Sequence, residues 1–176
     1  MSMTTFSHSE LKTERLNLRW INESDFEDIF KIRFHDEVLK YVERDKVIDK
    51  KEIKTLIQER LNDTKTGILC YWGICLKENS ELMGTICLWN IDRNKKIAEI
   101  GYEMHPDFHK NGYMSEALQI VIHYGFHELK LNIIEAFTHK QNDASKALLC
   151  RNNFSLEPQR RDIGFPNNRI YTITND

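Results

Sequence analysis

Three short runs rich in β-branched and aromatic residues, ILCYWGICL from Ile68, LMGTICLWNI from Leu82 and IAEIGYEM from Ile97, are joined by the polar turns ENSE and DRNKK. Runs of this texture with links this short form an antiparallel meander. The period then changes. After the loop HPDFHKNGYMS, the stretch MSEALQIVIHYGFHELK places Ala117, Leu118, Val121 and Leu129 on one side of a predicted helix, and IIEAFTH reads as a further strand. The unit from IAEIGYEM to IIEAFTH is therefore β-helix-β, with a right-handed crossover if its strands are parallel. Ligands of such units bind at the carboxyl ends of the strands, where this loop lies.

The flanks complete a mixed α/β fold. ERLNLRWI alternates Leu16, Leu18 and Trp20 with polar neighbours, as a half-buried strand does. A helix follows, with Asn22 or Ser24 as its cap and Phe26, Ile29 and Phe30 at helical spacing. DKKEIKTLIQERLND repeats that logic, with Asp49 and Glu52 as a capping-box pair and Ile53, Leu56, Ile57 and Leu61 as its stripe. Late in the chain, NDASKALLCRNNF is a short helix capped by Asn142 and stopped by a left-handed Asn153, and FSLEP and NRIYTIT close as weak strands. The predicted order is β, α, α, β, β, β, α, β, α, β, β. With no repeat and no linker in 176 residues, positions 1–176 read as one domain.

Charge narrows the partners. Against 27 acidic residues stand 25 basic ones, so no global field recruits nucleic acid or an anionic membrane, and any anion site must be local. No run approaches the roughly 18 apolar residues of a spanning helix, and MSMTTFSHSELKTER lacks the apolar core of a secretory signal. A cytoplasmic protein is the expectation. Cys70, Cys75, Cys87 and Cys150 sit in apolar contexts without C-x-x-C spacing, and so read as reduced packing residues. His123 and His127 are four apart on the long helix without an acidic partner at metal spacing, so no metal is expected.

HKNGYMS presents backbone N–H groups at a helix start, where the helix dipole favours phosphate, and Gly112 permits close approach or a positive φ. It carries neither the G-K-[ST] of a P-loop nor G-x-G-x-x-G. Taken alone, it is an anion site or a plain connection. Its neighbours add chemistry: Glu99 and Glu103 lie on one face of the preceding strand, and Asn142 and Ser145 mark the next strand-to-helix junction.

Those residues resemble the GNAT superfamily of N-acetyltransferases, in particular its RimJ/RimL-like branch, and the likeness spans nearly the whole chain. TERLNLRWINESDF is similar to that branch's opening, AEIGYEMHPDFHKNGYMSEAL to its acyl-CoA segment, and NDASKALLCRNNF to its N-x-x-S helix. The resemblance implies acetyl-CoA as donor substrate, its pyrophosphate held by a loop of the form [QR]-x-x-G-x-[GA]. That loop maps onto His109, Lys110, Asn111, Gly112, Tyr113 and Met114, followed by Ser115. It also implies that backbone amides near Met104 and His105 hold the pantetheine and polarise the acetyl carbonyl, with Asn142 binding the pantetheine arm.

For catalysis, the resemblance implies a carboxylate that accepts the amine's proton. Glu99, in AEI, ranks first; Glu103, nearer the strand end, ranks second. Leu149 stands where many relatives carry a general-acid tyrosine, which leaves Ser145 as the candidate for that role. The implied reaction is direct acetyl transfer to a primary amine in a ternary complex, with no metal and no covalent enzyme intermediate. An acyl-CoA-binding module with little activity is the alternative. Protein N-terminus, antibiotic, polyamine and amino acid remain open as acceptors, as do monomer and homodimer.

Overall fold

The computed structural model describes residues 10–42 and 50–175. A short strand β1 (Leu11–Lys12) turns into β2 (Leu16–Trp20), whose Leu16 and Leu18 are fully buried. Asn22 then starts a 3-10 turn through a capping box with Asp25, and helix α1 (Phe26–Arg33) continues from it. Asp25 is buried because it closes a two-pronged pair with Arg19, at 2.7 and 2.8 Å, while also accepting from the Asn22 amide. Its charge is thus matched where water is excluded. A four-residue helix α2 (Asp36–Leu39) and the longer α3 (Lys50–Lys65) come next. Asp49, half of the expected capping box, lies outside the described residues.

The expected meander is present as β3 (Cys70–Leu76), β4 (Leu82–Asp92) and β5 (Ile97–Met104). Helix α4 (Tyr113–His127) carries the chain to β6 (Ile133–His139), and α5 (Asp143–Arg151), β7 (Ser155–Leu156) and β8 (Asn168–Thr174) follow. Among the described residues, the eight strands form one sheet in the order β1-β2-β3-β4-β5-β6-β8-β7. Every neighbouring pair is antiparallel except β5 and β6, which run parallel, as the helix between them requires.

Each face of the sheet has its own apolar layer. On one face, Ala117, Leu118 and Val121 of α4 and Leu149 of α5 pack with Ala98, Ile100 and Met104 of β5 and with Leu88 of β4. Burial of a large apolar side chain of this kind contributes roughly 1.5 to 3 kcal/mol. Trp72 anchors the layer, stacked on Trp20 at 5.0 Å and edge-on to Tyr124 at 5.3 Å. On the other face, Phe26, Ile29 and Ile32 of α1 and Ile53 and Ile57 of α3 meet Tyr71, Cys75 and Leu82.

Three readings are corrected. The long helix ends at His127, so Leu129 packs against the core from the following turn. Cys150 is exposed rather than packed, because α5 turns Leu149 inward and its neighbour outward. The connection after α1 contains α2, whose four residues bury nothing and so leave no apolar stripe in the sequence.

Candidate functional site

The site is built where β5 and β6 part. Their pairing runs from Ile97↔Ile133 to Ile100↔Ala136, beyond which β5 continues on β4 alone and β6 on β8. Residues 101–104 therefore line a widening gap, and the loop after β5 closes one end of it. Strand alternation sends Glu99, Gly101 and Glu103 to the α1 face and Ile100, Tyr102 and Met104 to the α4 face.

On the α1 face the two candidate carboxylates have different partners. Glu103 is an ion pair with Arg33 of α1, both side chains being 16% exposed. Glu99 accepts instead from the neutral amide of Asn90, at 2.8 Å. A β-bulge aims that amide: between the pairs Trp89↔Glu99 and Asp92↔Ile97, β4 has Asn90 and Ile91 where β5 has Ala98, and Asn90 takes a φ of 47°. Across the parallel seam, Glu99 pairs in register with Glu135, whose carboxylate is clamped by Arg160. Burial first, with the nearby charges of Glu135 and Asp162 adding to it, raises the Glu99 carboxyl above its ordinary range, although the Asn90 bond opposes the shift. Trp89, exposed on the same face, brings its indole nitrogen within 3.8 Å of where a Cβ on Gly101 would stand. Glu99 is thus a carboxylate able to take up a proton, beside an aromatic wall.

The α4 face carries hydroxyls. Asn142 caps α5 by accepting from the Ser145 amide at 3.1 Å, as the sequence suggested. The Ser145 hydroxyl lies 2.8 Å from the Tyr102 hydroxyl, joining α5 to β5 across the gap. Burial pushes the Tyr102 phenol up to about 12, against the opposing effect of its bond to Ser145. Leu149 is fully buried in the core.

Of the two amides expected near the strand end, that of His105 donates to the Met83 carbonyl at 2.8 Å and is committed to the β4 side. Alternation turns the Met104 N–H to the β6 side. The His109 ring bonds the Met104 carbonyl at 2.9 Å and so ties the loop to the end of β5. In that loop Lys110 and Gly112 are left-handed, at φ 63° and 79°. Helix α4 then starts at Tyr113 without a side-chain cap, leaving first-turn N–H groups without intrahelical acceptors. Met114 packs against the core. Ser115 pairs with the buried Asn152 at the end of α5, at 3.0 to 3.1 Å.

No signal in the sequence marked Arg15 as part of this loop. Its guanidinium lies 4.6 Å over the Tyr113 ring, donates to the Asn111 carbonyl at 3.0 Å, and pairs with Glu116 at 2.7 Å. The arrangement can hold an anion at the α4 N-terminus, pass an extended group along the gap, and present a base on one side and hydroxyls on the other. Burial pushes the thiols of Cys70 and Cys87 up to about 12, which keeps them from serving as thiolate nucleophiles.

Comparison with known proteins gives a consistent result. The family model described as "Acetyltransferase (GNAT) domain" matches residues 15–155. The chain is 36% identical to the uncharacterised N-acetyltransferase YoaA of Bacillus subtilis (strain 168), over 92% of this chain and 91% of that protein. It is 34% identical to the uncharacterised N-acetyltransferase p20 of Bacillus licheniformis, over 93% and 92%. Among solved structures, RimL, the ribosomal L7/L12 α-N-protein acetyltransferase in complex with coenzyme A, superposes with a TM-score of 0.83 at 20% identity, over 96% of this chain and 99% of that one.

Proposed function

The chain belongs to the GNAT acetyltransferase family, and from that premise we propose a RimJ/RimL-like enzyme that acetylates an α-amine with Glu99 as its base. Its reaction is the transfer of an acetyl group from acetyl-CoA to an amine. The observation that carries the assignment is the contrast on β5: Glu103 is neutralised by Arg33, whereas Glu99 is held by an amide and its proton affinity is raised. A carboxylate already matched by a guanidinium is a weak proton acceptor. An α-ammonium, with a pKa near 8, gives its proton to a carboxylate far more readily than a lysine near 10.4 does. The RimL likeness supports the same acceptor class.

The loop residues Lys110 to Ser115 and the α4 N-terminus hold the donor's pyrophosphate, with Arg15, paired to Glu116, bracing the loop through the Asn111 carbonyl. The Met104 amide and Asn142 line the pantetheine's path, and Ser145 faces the leaving sulfur.

Calorimetry with acetyl-CoA, followed by thiol release over a panel of amines, tests this. Peptides with a free N-terminus are expected to turn over, and N-blocked peptides that keep a lysine are not. Binding without turnover on any amine points instead to a non-catalytic acyl-CoA module, and no binding at all removes both readings.

The pH profile is a separate check on the base. Glu99 must be ionised to act, so kcat/KM falls as pH drops through its raised pKa. The groups that face it are Asn90, Glu135 with its partner Arg160, and Asp162. Glu135→Gln removes a negative neighbour and leaves Arg160 without its carboxylate, so both changes favour ionised Glu99. The acid limb is expected to move to lower pH. A limb that stays in place excludes Glu99 as the titrating base.

A further inference from the structure

We propose that Tyr102 is a positioning residue for departure of the thiol: its hydroxyl donates to Ser145 Oγ and leaves the Ser145 proton to be presented to the leaving sulfur. This rests on the reading of the gap as the acetyl-CoA path. Tyr102 lies two residues beyond Ile100, the last β5 residue paired with β6, and so stands where the strands have separated. Ser145 stands opposite, in the first turn of α5, its amide fixed by Asn142 at 3.1 Å. With that backbone held, the hydroxyl's remaining freedom is rotation about its own bonds. Either hydroxyl of the 2.8 Å pair can be the donor.

The two choices differ in what they leave over. A serine hydroxyl has one proton and two acceptor sites. If Ser145 donates to Tyr102, its proton is committed. If Tyr102 donates, the Ser145 proton is available for a third group, and a hydroxyl that accepts one hydrogen bond is a stronger donor in the next. Negative charge developing in the gap selects the second arrangement.

The phenol suits donation and not acid catalysis. At about 12 it stays protonated throughout the working range. A thiol near 8.5 is about three orders of magnitude more acidic, so the Tyr102 proton stays where it is. In the reaction Glu99 takes the ammonium proton and releases it to water, the neutral amine nitrogen forms the C–N bond, and its second proton then passes to Glu99. The C–S bond then breaks with its electron pair on sulfur. Ser145 donates a hydrogen bond to that sulfur, which takes its final proton from water, as Glu99 returns its own to water. No tyrosine is needed on α5, where Leu149 is part of the core.

The test uses Tyr102→Phe, Ser145→Ala, the double variant and Glu99→Gln. Tyr102→Phe keeps the partly buried ring and is expected to lower kcat about tenfold while the KM for acetyl-CoA stays within about twofold. The double variant should be no slower than Ser145→Ala, because the phenol acts through the serine. A second readout needs no turnover: the pKa of the thiol of bound coenzyme A, followed by thiolate absorbance, is expected to be about one pH unit lower in the native protein than in Tyr102→Phe or Ser145→Ala. Native kcat in Tyr102→Phe, additive losses in the double variant, or an unchanged thiol pKa in either single variant would overturn the proposal. Normal turnover in Glu99→Gln would overturn the assignment of the base instead, and the thiol readout would still decide the role of Tyr102.

Discussion

Glu99→Gln is expected to turn over about two to four orders of magnitude more slowly than the native protein, with acetyl-CoA affinity changed by less than about twofold. Glutamine keeps the size and the bond to Asn90 Nδ2 through its amide oxygen, so the fold loses little. What it lacks is a site for a proton. The donor is expected along the gap and at the α4 N-terminus, so its binding does not depend on that carboxylate. The loss should therefore appear in kcat and in kcat/KM for the amine, measured by thiol release, with the acetyl-CoA Kd from calorimetry as control. Glu103→Gln is a different perturbation: it strands the Arg33 guanidinium, which is 16% exposed. A fall in turnover confined to Glu103→Gln would transfer the base to that residue.

Gly84→Val is the substitution expected to harm the fold most directly through the site. A Cβ at Gly84 would stand 2.4 Å from the Glu103 carbonyl oxygen and 3.0 Å from Met104 Cα. Both neighbours are backbone, which cannot rotate away as a side-chain tip does. A penalty of about 3 kcal/mol, at the upper end for overpacking, lowers Tm by about 6 to 12 °C in a chain of this size. The strain falls where Met83 forms an extra residue in the β3–β4 ladder and its carbonyl holds the His105 amide. Acetyl-CoA affinity should fall with stability, since the displaced segment carries the Met104 amide. A Tm within about 2 °C of native would mean that β4 and β5 can separate locally at small cost.

Strand texture and helical period were enough to place the meander, the crossover helix and the closing helix, and IAEIGYEM and IIEAFTH have the expected bounds. Local chemistry was equally legible: Asn142 caps α5, and Asn153 is left-handed at φ 65°. Partners distant in sequence were not. Arg15 reaches Asn111 and Glu116 across about a hundred residues, and Arg33 reaches Glu103 across 70. Nothing in TERL or in KIRF distinguishes those arginines from surface ones. The choice between Glu99 and Glu103 depended on that same information, since the two carboxylates share a strand face and differ in what the first helix brings to them. Asn90 was hidden for another reason: an alternating pattern read as a regular strand gives no sign of a bulge. The Tyr102 ring packs against the core, partly buried; its hydroxyl partner belongs to a helix some forty residues away.

The seam between β5 and β6 has a mechanical consequence. Among the described residues, four register pairs, Ile97↔Ile133 to Ile100↔Ala136, with the Lys96 carbonyl accepting from Asn132 and Ile133 at their start, join the leaf β1–β5 to the leaf β6–β8. Such a sheet resembles a book with a short spine, its pages held mainly by the helices pressed against them. A donor seated in the gap as proposed would bond to both leaves. On the proposed path along the gap, acetyl-CoA would be a fastener as well as a reactant, adding a tie between the leaves to those made by the four pairs, by the Lys96 carbonyl's bonds to Asn132 and Ile133, and by the helices.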